Sequence, residues 1–103
     1  MEPTQLRILA IGRNAEIMTV MQRLLNAPDN WTGLTVTTDE AAKAAFEKET
    51  FDIVLICAGV SPEEEAALKA WFKQHSPAVI VKRHYGGGSG LLKNEILHAL
   101  ENR

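Results

Sequence analysis

The period of hydrophobic positions along the chain alternates between that of a strand and that of a helix. Leu6 to Ile11 is almost continuously apolar and stops at Gly12, the pattern of a buried strand. Asn14 then offers an N-cap, with Glu16 acidic in the first turn. Ile17, Val20, Met21, Leu24 and Leu25 follow at spacings of three and four, predicting a helix with these residues inward and an end at Pro28-Asp29-Asn30. Trp31 to Thr37 alternates and is rich in threonine, as a half-exposed edge strand should be. Gly33 weakens it locally, which suggests a start at Leu34.

Thr37 and Glu40 have capping-box spacing, with Thr38 or Asp39 as alternative caps. The helix they open, Glu40 to Lys48, would turn Ala41, Ala42, Ala45 and Phe46 inward. Phe51 to Ile56 is the longest apolar run in mid-chain, rich in β-branched residues and too short for an ordinary helix. It predicts a strand covered on both faces. Ser61-Pro62-Glu63-Glu64 is the sharpest local signal: a serine cap, proline at the first helical position, and a glutamate three residues on. That helix runs to about His75, burying Ala67, Leu68, Trp71 and Phe72, and Ser76-Pro77 stops it. Ala78 to Lys82 is a fourth strand, Arg83 to Gly90 a loop, and Leu91 to Glu101 a closing helix with Leu92, Ile96 and Leu100 on one face.

Strict alternation of strands and helices requires right-handed crossovers and a parallel sheet. The first and third strands are the most apolar and belong at the centre. The expected architecture is a three-layer α/β flavodoxin-like domain spanning 1–103, with a four-stranded parallel sheet of order 2-1-3-4 and four helices. Its switch point lies between strands one and three, where open α/β sheets place their sites.

Composition narrows the class. The chain has 103 residues, 46% hydrophobic and 23% charged, suited to one globular domain. A net charge of −2 gives no global reason to expect nucleic acid or an anionic membrane. One cysteine rules out an internal disulfide framework and suits a reducing compartment. No apolar run approaches the ~20 residues that cross a bilayer, and the first residues lack a signal-peptide pattern. The expectation is a cytoplasmic protein.

Three loops should meet at the carboxyl edge of the sheet: Gly12-Arg13-Asn14, Cys57 to Val60, and His84 to Gly90. The last holds Gly86, Gly87, Gly88, Ser89 and Gly90 ahead of a helix, with Lys82, Arg83 and His84 before it. Free backbone N–H groups beside cations are the makings of an anion site, and Arg13 could join it. The plainer reading is a tight turn in which Ser89 caps the helix. Cys57 would need a cation or helix N-terminus to be a reactive thiol, and reads first as a small buried apolar residue. His75 and His98 have no partner at metal-ligand spacing, so no metal site is expected. Glu63-Glu64-Glu65 reads as an acidic first turn, and Trp31 and Trp71 as packing residues.

The opening Arg7-Ile8-Leu9-Ala10-Ile11, the helix ending in Leu24-Leu25, the Thr35-Val36-Thr37 strand and Phe51-Asp52-Ile53-Val54-Leu55-Ile56 with its short following loop together resemble a response-regulator receiver domain. The likeness covers about residues 6–76 and the last helix. Receivers hold Mg²⁺ with an acidic pair after strand one, where this chain has Gly12 and Arg13. They accept phosphate on an aspartate at the end of strand three, where this chain has Cys57. An arginine in place of the carboxylates would repel the metal. The fifth strand–helix unit of a receiver is also missing.

The length, the four strands and Tyr85-Gly86 before the final helix are similar, in addition, to the IIB components of sugar phosphotransferase systems. Those use a phosphocysteine after strand one, again the place of Gly12 and Arg13. The receiver resemblance implies a degenerate, truncated receiver-like module, without cofactor or catalysis, that works through protein–protein contacts. A homodimer through the last strand and its flanking helices is expected. The alternative is a small anion-binding or IIB-like phosphotransfer domain using Arg13, Cys57, His84 and the loop from Gly86 to Gly90.

Overall fold

The computed structural model describes residues 6–27, 29–84 and 94–99. Its elements are β1 (Leu6–Ile11), α1 (Ala15–Leu25), β2 (Trp31–Val36), α2 (Asp39–Lys48), β3 (Ile53–Ile56), α3 (Pro62–His75) and β4 (Ile80–Arg83). A closing helix, α4, is described over residues 94–99. The sheet is entirely parallel with strand order β2-β1-β3-β4, an α/β flavodoxin-like arrangement as the alternation predicts.

Strand alternation divides the core into two layers. Ile8, Ala10, Ile53, Leu55 and Cys57 face Met18, Met21 and Leu25 of α1 and Ile96 of α4. Leu9, Ile11, Val54 and Ile56 face Ala42 and Phe46 of α2 and Leu68 and Phe72 of α3. Every residue of β3 is buried, which is why it reads as one apolar run. Phe46 and Phe72 anchor the second layer, their rings 4.8 Å apart and tilted.

Local chemistry accounts for the helix ends. Asn14 accepts from the Ile17 N–H at the start of α1. Thr38, and not Thr37, caps α2 by accepting from the Ala41 N–H. At α3 the full capping box forms: Ser61 accepts from the Glu64 N–H at 3.1 Å, and Glu64 accepts from the Ser61 N–H at 3.0 Å.

Several sequence expectations need correction. The inward face of α1 is Met18, Met21 and Leu25, while Ile17 and Val20 stand exposed. Ala41 and Ala67 are exposed too, leaving Ala42 and Leu68 as the inward residues one position on. β4 begins at Ile80 instead of Ala78, so Arg83 belongs to the strand and not to the loop after it. Tyr85 to Lys93, and with them the glycine loop, Leu91 and Leu92, lie outside the described residues, as does Leu100.

β2 starts at Trp31, three residues earlier than Gly33 suggested, and the reason is α1. A Cβ at Gly33 would lie 2.4 Å from the Cβ of Leu25, so glycine lets helix and strand close up. At that contact the amide side chains of Gln22 on α1 and of Asn26, the residue that ends the helix, bond to the outer edge of the strand. Asn26 accepts from the Gly33 N–H at 3.0 Å and donates to the Gly33 carbonyl at 3.0 Å. Gln22 donates to the same carbonyl at 2.7 Å and accepts from the Thr35 N–H at 2.9 Å. The outward backbone groups of Gly33, and the N–H of Thr35, are thereby paired within the chain.

Candidate functional site

The carboxyl edge is where the topology gathers polar residues. The loop after β1 packs directly on the loop after β3, with the Arg13 N–H donating to the Ala58 carbonyl at 3.0 Å. A Cβ at Gly12 would meet the Met18 sulfur at 2.7 Å and Cys57 Cβ at 2.9 Å. Gly59, at φ +92, leaves the stem of Arg13 the space a side chain would take.

Arg13 reaches over the α2–α3 side of this edge. Its Nη2 lies 2.7 Å from Asp39 Oδ1 at the start of α2 and 3.3 Å from Glu64 Oε2 at the start of α3. Its Nη1 donates to the Thr37 carbonyl at 3.1 Å. The hydrogen bond it donates to Asp39 raises the guanidinium's pKa above its ordinary value. The Glu64 carboxyl is held below the ordinary glutamate range, first by the Ser61 backbone N–H and then by Arg13. One cation thus joins two helix N-termini to the first loop. In any one of these contacts the guanidinium uses the donors that an incoming anion would otherwise take.

A second arginine repeats the arrangement. Arg83, at the end of β4, donates to Glu65 of α3 at 2.7 Å and to the Val60 carbonyl at 2.9 Å. His84 is buried, its Nδ1 2.7 Å from Glu95 Oε1 on α4. These pairs tie the last strand to a helix on each side of the sheet.

Cys57 continues the inward alternation of Ile53 and Leu55 and is 1% exposed. Burial pushes its thiol up to about 12; Glu95 adds to the rise and Arg83 opposes it. The sulfur is a packing atom at neutral pH, not a thiolate.

Of the residues singled out in the sequence, Gly12, Arg13 and Cys57 are adjacent, but their side chains divide between the two layers. Arg13 turns to α2 and α3; Cys57 and His84 turn to the α1–α4 side. Lys82 is half-buried on β4. Gly86, Gly87, Gly88, Ser89 and Gly90 lie outside the described residues. Sequence reading missed Asp39, Glu64, Glu65 and Glu95 as partners. Only the positions of Asp39 and Glu64 at helix starts, facing the same edge as Arg13, could have signalled the clamp. No group of three or more histidine, cysteine or acidic side chains among the described residues could hold a metal ion. No described helix is long and apolar enough to cross a membrane.

No family model matches the chain, and neither a curated protein nor a solved structure matches it.

Proposed function

We propose that the chain is a receiver-like interaction module that does no phosphoryl chemistry and acts through protein–protein contacts. The observation that carries this reading is the Arg13 guanidinium seated between Asp39 and Glu64. Phosphoryl transfer to a carboxylate needs a divalent cation to neutralise the developing charge and an exposed acceptor. The edge offers a fixed organic cation, and Cys57, in the acceptor's place, is buried and protonated. Lock-down of that edge by Arg13, Arg83 and their carboxylates suits a rigid scaffold whose outer surfaces are recognised.

The test is direct. The chain is incubated with Mg²⁺ and acetyl phosphate and its intact mass recorded beside an unreacted control. The expected spectrum is unchanged. A phosphoryl adduct, on any residue, overturns the reading and favours the phosphotransfer alternative. Saturable phosphate or sulfate shifts in the amide NMR spectrum, centred on Arg13, would favour the anion site instead.

A further inference from the structure

The two edges of the sheet are finished differently. In β2 the residues whose N–H and C=O groups point away from β1 are Trp31, Gly33 and Thr35, and Gln22 and Asn26 bond to both groups of Gly33 and to the Thr35 N–H. In β4 the Ile80 N–H bonds to Asp52 at 3.2 Å and the His84 N–H to Ile56 at 2.8 Å. Even-numbered residues therefore face β3, and Val81 and Arg83 turn both backbone groups outward. Among the described residues no side chain bonds to the backbone groups of these two, whereas just before the strand Lys73 donates to the Val79 carbonyl.

This edge is the floor of a cleft of about 510 Å³. Ile80 and Val81 form the floor, Lys69 and Lys73 of α3 one wall, and Ala99 of α4 the other. Lys69 and Lys73, one turn apart, stand on the same helix face. Lys82 alternates with Val81 and so stands on the opposite face of the strand, beside α4. Cations thus flank the edge on both sides, and no carboxylate lines the cleft among the described residues. That is a local excess of positive charge on a chain of net charge −2.

We infer that β4 is a docking edge for an extended acidic segment of another protein, added to the sheet as a fifth strand. Backbone groups of Val81 and Arg83 supply up to four hydrogen bonds, and the lysines select carboxylates on the incoming strand. A second copy of this chain fits less well, because two-fold pairing of β4 edges would set each lysine wall against its own copy. The inference rests on the interaction reading above and gives that reading a partner chemistry.

The experiment uses the full chain, ¹⁵N-labelled, titrated with two short acetylated peptides, one alternating valine with glutamate and one alternating valine with lysine. The glutamate peptide is expected to shift the Val81 and Arg83 amides and to bind at least about tenfold more tightly than the lysine peptide. Lys69→Glu, at an exposed position, should weaken it about fivefold or more with the amide spectrum otherwise retained. Val81→Pro removes an outward N–H without touching the β3 ladder, and should also weaken binding. Equal binding of both peptides, shifts centred elsewhere, or no binding of the glutamate peptide overturns the inference. So do Val81 and Arg83 shifts driven by protein concentration alone, which would assign the edge to a second copy. Each of these failures leaves the acetyl phosphate result standing, so the two readings fail separately.

Discussion

A Cβ built at Gly59 lies 2.6 Å from the Cβ of Arg13 and 2.9 Å from its Cγ. Glycine there serves two needs at once, a φ of +92 and room for the stem of an arginine that ties two helices together. Gly59→Ala should lower unfolding stability by about 1–3 kcal/mol, measured by urea denaturation. Gly59→Asn should not recover it. Asparagine tolerates positive φ better than alanine, yet its Cβ meets the same two atoms.

Acid should loosen the same edge. The folded Glu64 carboxyl titrates below its unfolded value, so its contribution is full above the ordinary glutamate range of about 4.3. It is lost as pH falls through the lowered folded value. Stability of the Glu64→Gln variant should therefore approach that of the wild type as pH is taken from neutral to about 3, in denaturation curves at matched ionic strength.

Cys57 should be chemically quiet while the chain is folded. A thiol raised to about 12 carries roughly 10³-fold less thiolate at pH 8 than a free cysteine. Alkylation by iodoacetamide should be slower in the native chain by at least that factor, and urea above the midpoint should restore the rate of an unstructured thiol. A fast native reaction would mean that the sulfur is reachable, contrary to its 1% exposure.

Two neighbouring residues of α1 should respond in opposite ways. Ile17→Ser, on the exposed face, should change stability by no more than about 0.5 kcal/mol. Met18→Ala removes a 3% exposed side chain from the core and should cost about 2–4 kcal/mol. Thermal melts of the two variants compare them directly.

That contrast also shows how far the sequence could be read. Strand order followed from apolar runs alone, because β1 and β3 are buried on both faces and nothing else in the chain resembles them. The face of α1 was harder. Ile17-Met18 and Val20-Met21 offer two apolar stripes one residue apart, and periodicity does not choose between them. The sheet does, by admitting the flexible Met18 against Gly12, burying Met21 with it, and leaving the β-branched residues outside. At the candidate site Arg13 stood out as an arginine where the receiver resemblance places carboxylates. Its partners did not, since Asp39 and Glu64 lie 26 and 51 residues away and read locally as ordinary first-turn acids. Long-range ion pairs leave no periodic trace.

The amides of Gln22 and Asn26 have one more effect. By bonding both backbone groups of Gly33 and the N–H of Thr35 they block the middle of the β2 edge, so a strand adding there would have to displace them. With β4 as the docking edge inferred above, that favours discrete complexes over an open-ended fibre, which needs two reactive edges on every unit.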